Sequence, residues 1–312
     1  MKDTATYKQT LIKTINTIHT DLNGIQCQLA EYVKSVKEGD NSVKTDTIFT
    51  VTVTLSIFIL GILVDRVIKH CDRKRLEKER RTFFLYHITR ANARLVSKLQ
   101  ETYLKYAKEI SIDTGLTSTP PKVISSDFQR LLGIDYEQLF SAFKTKDVFS
   151  RVQSQIEFID TVLKEVQGFH IRVYDESGIV REELAKISDE YLGLLSDYTK
   201  LQRATNANFT LSQTYNLLNN GIIRYYKELA GTRQLSVFYK EIVKPVQTRI
   251  VDSGEHDTDS ILGAVAEKGR RLAHVVSRLE QILEEVSKQY ETYSNYMRSA
   301  NENLNTDIPI LK

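Results

Sequence analysis

The chain has 312 residues, 27% charged and 41% hydrophobic, a balance that excludes a disordered chain and one embedded entirely in lipid. Its 43 basic and 40 acidic residues leave a net charge of +3, which is too small to indicate nucleic-acid binding, so we expect no nucleic-acid partner. Two cysteines exclude a disulfide scaffold and the usual zinc patterns. Only four prolines occur, so turn residues are too few for an all-β chain, and we predict an all-α fold of long helices.

Residues 1–46 carry a heptad pattern, in which apolar residues recur at alternating steps of four and three. The positions are Leu11, Ile15, Ile18, Leu22, Ile25, Leu29, Tyr32 and Val36. A single helix cannot bury such a stripe by itself, although Gly24 weakens the helix by about 1 kcal/mol. We predict a short N-terminal heptad helix that self-associates; coverage by a partner chain and folding back are the alternatives.

Residues 47–64 contain no charged side chain and lie between Asp46 and Asp65. As a helix this run would span about 27 Å, close to the hydrocarbon thickness of about 30 Å. A buried core helix or strand is the alternative, because threonine and serine alternate from Thr50 to Ser56. We favour a single transmembrane helix, because residues 57–64 are uninterrupted in their apolar character and hydroxyls can bond back to helix carbonyls.

One side of this predicted transmembrane helix carries small residues, namely Thr47, Thr50, Thr54 and Gly61. Small faces let transmembrane helices approach closely, so we predict that Thr50, Thr54 and Gly61 contribute to self-association. Scattered threonines without a partner are the alternative.

Positive charge is concentrated after the apolar run. We predict that the first basic residues contact anionic lipid headgroups: Arg66, Lys69, Arg73, Lys74 and Arg75. Before the run only Lys34, Lys37 and Lys44 occur in a comparable window. Because positive residues are retained on the cytoplasmic side, we expect the N-terminus outside and the C-terminal region in the cytoplasm.

The region after the apolar run, residues 65–312, also carries heptad patterns. We predict a basic juxtamembrane helix at 65–113, a linker at 114–126, a bundle at 127–300 and a flexible tail at 301–312. An antiparallel helical bundle is preferred to an extended parallel coiled coil, because several long helices joined by short loops can cover one another. The longest seam comprises Leu262, Val265, Gly269, Leu272, Val276, Leu279, Leu283, Val286, Tyr290, Tyr293 and Met297. We also expect an interruption at Gly168 and a kink at Pro245.

Chemical motifs are scarce: there is no phosphate-binding glycine loop and no metal-protease or hydrolase motif. Glu255-His256-Asp257 could bind a metal but is better explained as a solvated loop, so we expect no metal and no cofactor. Arg81 and His87, with five residues between them on a predicted helix, resemble the pair in helical ribonucleases of the HEPN type. The resemblance implies that the His acts as acid or base and the Arg stabilises phosphate charge. Phe83 stands where that family has a polar residue.

The architecture favours a membrane-anchored interaction or scaffold protein over an enzyme. We expect membrane lipid, further copies of the chain and an unidentified protein as partners. A helical pore-forming or membrane-permeabilising protein is the alternative, and the HEPN-like ribonuclease is the remote one.

Overall fold

The computed structural model describes residues 42–229 and 234–312, together with scattered positions between 23 and 34. Within these ranges every regular element is helical and no strand occurs, which confirms the all-α prediction for that part of the chain. The N-terminal seam residues Leu11, Ile15, Ile18, Leu22, Ile25 and Leu29 lie outside the described residues. The chain divides into two compact units, Met1–Glu77 and Lys78–Lys312.

In the first unit the apolar run is helical, as part of α1 (Ser42–Ala91), so the strand alternative is wrong. Its most apolar 18-residue window has a mean hydropathy of 2.1, and none of it is buried. By length and composition it is the one helix in the described part of the chain that could cross a membrane. The hydroxyl of Thr54 donates to the Thr50 carbonyl at 2.7 Å, and that of Ser56 to the Thr52 carbonyl at 2.8 Å, so both are satisfied within the helix.

The second unit contains three long helical stretches and several short ones. After α1, a π-helical turn (Asn92–Val96) leads into α2 (Ser97–Glu109). The remaining helices are α3 (Ser126–Leu132), α4 (Tyr136–Phe140), α5 (Lys146–Thr205), α6 (Gln213–Arg224), α7 (Leu235–Phe238), α8 (Lys244–Ser253) and α9 (Ser260–Leu311).

Local capping residues explain where several of these helices begin and end. The Ser125 hydroxyl accepts from the Phe128 amide at 3.3 Å at the start of α3. Asp259 accepts from the amides of Ile261 and Leu262 at the start of α9. Gly254 ends α8 with φ of 67°, a left-handed conformation that favours glycine.

The core of the second unit forms where α9 packs against α2 and α5. All eleven residues of the longest predicted seam, from Leu262 to Met297, are buried. Between α5 and α9 the hydrogen-bonded pairs are Arg151 with Asp307, Glu165 with Tyr293, His170 with Tyr290, and Glu190 with Lys268. Between the first helical stretch and α9, Asn92 pairs with Asn305, and the Gln100 and Ala107 carbonyls accept from Ser294 and Ser287. In both sets, a residue with a higher number on α5 or on the first helical stretch pairs with a residue of lower number on α9.

Two predictions of detail, the interruption at Gly168 and the flexible tail, differ from the structure. Helix α5 is continuous through Gly168, because one glycine costs only about 1 kcal/mol within a helix of 60 residues. Residues 301–311, expected to be a flexible tail, continue α9, because Leu304, Ile308 and Leu311 are buried in the core. Pro245 lies within a helical stretch that runs from α7 through a π-helical turn (Tyr239–Val243) into α8, and this irregular turn directly precedes the proline, which has no amide donor.

Candidate functional site

The guanidinium of Arg81 binds the last turn of α9. Its Nη2 donates to the backbone oxygens of Leu311 and Lys312 at 2.8 and 2.6 Å, and the group lies 5.7 Å from the Phe143 ring centre. Carbonyls at the end of a helix have no partner within the helix, so a cation there satisfies them. Arg81 thus connects the C-terminal part of α1 to the C-terminal turn of α9.

His87 has a different environment, since it is only 3% exposed and faces α3. Its Nδ1 lies 2.7 Å from Oδ1 of Asp127, and Nε of Arg90 lies 3.3 Å from the other carboxylate oxygen. The His87 hydrogen bond lowers the pKa of Asp127, partial burial opposes this, and the charges of Arg90 and Arg94 lower it further. The pair therefore docks α3 onto the helix that carries His87.

Arg81 and His87 make separate contacts, Arg81 with the last turn of α9 and His87 with Asp127. Among the described residues no contact joins the two side chains, and each has a structural partner of its own. The resemblance to HEPN-type ribonucleases thus rests on spacing alone, while a packing role for each residue rests on observed contacts.

Alanine at either position gives a direct test. Arg81→Ala should lower the free energy of unfolding by about 1 kcal/mol, and His87→Ala by about 2 kcal/mol, because Asp127 loses its buried partner. Exposed Arg278 provides the control, whose replacement by alanine should change little. Thermal unfolding followed by circular dichroism measures this. RNA cleavage by the purified chain, lost in either variant, would instead support the ribonuclease.

The basic residues that follow the apolar run are exposed, and Lys69 and Arg73 have acidic neighbours one turn away. Lys69 lies 2.7 Å from Asp65, and Arg73 lies 3.1 Å from Glu77. Such exposed pairs contribute little to stability, so both cations stay accessible to anionic headgroups. Of the small-residue set, Thr50, Thr54 and Gly61 are exposed, and no atom lies within 4 Å of a Cβ built on Gly61.

A buried histidine that the sequence did not reveal joins the linker to the bundle. His170 is fully buried, with Nε2 at 2.8 Å from the Thr117 carbonyl and Nδ1 at 2.7 Å from the Tyr290 hydroxyl. A carbonyl only accepts, so Nε2 carries the proton and Nδ1 of the neutral ring accepts from Tyr290. Burial lowers the pKa of His170, and the hydrogen bond to Thr117 raises it to a smaller extent.

The linker after α2 is held at further points. Nη2 of Arg181 donates to the Ile112 carbonyl at 3.0 Å, and burial lowers the pKa of Arg181. Asp113 accepts from the amide and hydroxyl of Ser236 at the start of α7. Gly115 has φ of 66°, and its α-carbon faces the Arg181 guanidinium, where a Cβ would collide with that group. The predicted linker is therefore a fixed connection in this unit.

A cleft of about 500 Å³ opens between α5 and α9. Its lining residues are Glu165, Gly168, Phe169, Arg172, Gln289 and Tyr293. The Tyr293 hydroxyl donates to Glu165 at 3.2 Å, and the Arg172 guanidinium lies 5.6 Å from the Phe169 ring centre. Burial raises the pKa of Tyr293 to about 12, so the phenol stays protonated and serves as a donor.

The Glu255-His256-Asp257 triplet forms a short 3-10 turn in which Nε2 of His256 lies 3.4 Å from Oδ1 of Asp257. His256 bonds through Nδ1 to the Ile250 carbonyl at 3.1 Å, while Glu255 accepts from Thr214 at 2.9 Å. No group of three or more His, Cys, Asp or Glu side chains in the described ranges is arranged to hold a metal ion.

Comparison of the chain with protein-family models, curated proteins and solved structures gives no match.

Proposed function

We propose that this chain is a membrane-anchored, self-associating helical scaffold. The observation that carries the proposal is the apolar window of α1, none of which is buried. Its exposed side chains include Val51 at 61%, Ile57 at 66% and Phe58 at 65%. Apolar surface of this extent is not stable in water and indicates a lipid or protein environment. A lipid bilayer suits it best, because the hydroxyls of Thr54 and Ser56 are satisfied within the helix.

In this proposal the span comprises residues 47–64, with residues 1–46 outside and residues 65–312 in the cytoplasm. The asymmetry of Lys and Arg around the span supports this orientation. The proposed membrane partners of the basic segment are anionic lipids, which Arg66, Lys69, Arg73, Lys74 and Arg75 would contact.

The cytoplasmic part is proposed to be an antiparallel bundle that presents surfaces to partners. The opposite order of the residues paired between α5 and α9 supports the antiparallel arrangement. Self-association is proposed through the N-terminal heptad positions Leu11 to Leu29 and through Thr50, Thr54 and Gly61 of the span. No catalytic group is assigned.

The two cysteines test the anchor and its orientation, because Cys27 precedes the span and Cys71 follows it. We expect a membrane-impermeant maleimide to label the Cys71→Ser variant, which keeps Cys27, on intact spheroplasts. The Cys27→Ser variant, which keeps Cys71, should be labelled only after the membrane is permeabilised. The double serine variant is the control for background labelling.

The same membranes should retain the chain after alkaline carbonate extraction, and light scattering in detergent should give the mass of an oligomer. The reverse labelling pattern would overturn the orientation, and release by carbonate would overturn the anchor. A soluble species that later makes vesicles leak would favour the pore-forming alternative. A membrane-bound monomer would keep the anchor and exclude self-association.

A further inference from the structure

In the described part of the chain, residues 116–124 of the linker are hydrogen-bonded to the helices through one residue, Thr117. We call residues 116–124 the linker segment. The Thr117 carbonyl accepts from His170 of α5 at 2.8 Å, and the Thr117 amide donates to the Tyr106 hydroxyl of α2 at 3.2 Å. The hydroxyls of Thr117 and Tyr106 also lie 3.2 Å apart. Loss of the contacts at this one residue would therefore release the linker segment.

The residues that precede the linker segment have attachments of their own. The Ile112 carbonyl accepts from Arg181 at 3.0 Å, and the Asp113 carboxylate accepts from the amide and the hydroxyl of Ser236. Helix α3, which follows the linker segment, is docked separately through its own carboxylate, as described above. The linker segment is thus a loop between two fixed ends, and it can open while the elements on either side stay in place.

The surroundings of His170 contain no group that would compensate a positive charge on its ring. The titratable side chains that face it are Tyr106 of α2, with ring centres 6.0 Å apart, and Tyr290 of α9, which donates to Nδ1. Burial raises the pKa of Tyr290 above its usual range, so this phenol stays neutral. Among the described residues no ion pair involves His170. A second proton would therefore turn Nδ1 from an acceptor into a donor and leave a buried charge without a counter-charge.

We infer that His170 is an acid-sensitive latch, which releases the linker segment when its ring takes up a second proton. The charged ring regains contact with water by local opening. The linker segment is the cover that opens, because Thr117 alone bonds it to the helices in the described part of the chain. Helices α2, α5 and α9 stay packed, because the apolar side chains between them do not titrate. The inference concerns the second unit and is independent of the proposed membrane anchor.

The pH range of the opening follows from the two environments of the histidine. Burial lowers the pKa of His170 in the closed state, whereas a histidine exposed to water titrates near pH 6.5. The open state therefore binds more protons than the closed state below about pH 6.5, and opening becomes more favourable as the pH falls. Between pH 7.5 and 5 the ratio of open to closed chains should rise by at most about thirtyfold.

Thiol accessibility of the full-length chain in detergent tests the latch, in a background that carries Cys27→Ser and Cys71→Ser. Leu116→Cys places a thiol where the linker segment is half-buried against the core, and Ser118→Cys places one at an exposed position of the same segment. The ratio of their labelling rates with a methanethiosulfonate removes the pH dependence of the reagent. This ratio should rise about tenfold from pH 7.5 to pH 5. A constant ratio would overturn the latch.

Replacing the histidine by glutamine separates its charge from its hydrogen bonds. In His170→Gln the amide can still donate to the Thr117 carbonyl but takes up no proton in this range, so the labelling ratio should stay constant with pH. His274→Gln is the matched control, because His274 is exposed on α9, and it should keep the rise of about tenfold. A rise of equal size in His170→Gln would assign the effect to another group and overturn the latch.

A second variant keeps the test decisive if His170→Gln unfolds on circular dichroism. Tyr106→Phe removes the other attachment of Thr117 and keeps the ring, so it should raise the labelling ratio about fivefold already at pH 7.5. An unchanged ratio would overturn the attachment through Thr117. Ala300→Cys, which is fully buried in α9, should be labelled slowly at both pH values. Acid labelling of Ala300→Cys in parallel with Leu116→Cys would mean that the whole bundle opens, and would overturn the local release.

Discussion

Replacing Gly269 by alanine should lower the free energy of unfolding by about 2 kcal/mol, although alanine is the better helix former. A Cβ at this position would overlap Oε1 of Gln247, lie 2.9 Å from its Cδ and lie 3.5 Å from the Tyr191 ring. The Gln247 side chain cannot move without loss, because its Nε2 donates to the Ala266 carbonyl at 2.9 Å. Glycine at this seam position thus permits the close contact between α8 and α9.

Gly193→Ala is the matched control, since Gly193 is exposed within α5 and has no atom within 4 Å of a built Cβ. It should raise stability by about 0.5–1 kcal/mol, because alanine loses less backbone entropy on folding. Thermal and urea unfolding of the full chain in detergent, followed by circular dichroism, would show opposite shifts for the same substitution. Adding Gln247→Ala should partly relieve Gly269→Ala. Equal shifts at Gly269 and Gly193 would contradict the packing argument.

Replacing His170 by leucine should lower the free energy of unfolding by about 3 kcal/mol. The Thr117 carbonyl and the Tyr290 hydroxyl would both lose their hydrogen-bond partner in a buried place. Tyr290→Phe removes one of the two hydrogen bonds and should lower the stability by about 1 kcal/mol. His274 is exposed, and His274→Leu serves as the control with little expected change. A loss below about 0.5 kcal/mol for His170→Leu would contradict the role of this residue.

The same histidine should make the fold sensitive to mild acid. Because burial lowers the pKa of His170 in the folded chain, the unfolded chain binds more protons once the pH falls below about 6.5. Stability is therefore unaffected by this group above that pH and decreases below it, by at most about 1.4 kcal/mol per pH unit. The lowered pKa of Asp127 acts only in stronger acid, below about pH 4. Urea unfolding between pH 7.5 and 5 should show the slope in the parent and lose it in His170→Leu.

The sequence determined the helical class and the residues that form the core seams. Heptad spacing identified the seam from Leu262 to Met297 on one long helix, and all eleven of its residues are buried. Such patterns can be recognised in a sequence because the side chain of every third or fourth residue returns to the same face of a helix. The uncharged run at 47–64 could be recognised as a possible membrane-spanning segment, because hydropathy and length are properties of the local sequence.

Contacts between distant residues were decided only by the tertiary structure. Spacing had suggested a pair of Arg81 with His87, but packing gives Arg81 the last turn of α9 and gives His87 the carboxylate of Asp127. His170 was unremarkable in the sequence, because its partners Thr117 and Tyr290 lie 53 and 120 positions away. Residues 301–311 were expected to be a flexible tail, but Asn305 bonds to Asn92 and Asp307 bonds to Arg151, which lie 213 and 156 positions away. Local periodicity fixes which face of a helix is apolar, whereas the partner of each polar side chain depends on which helices meet.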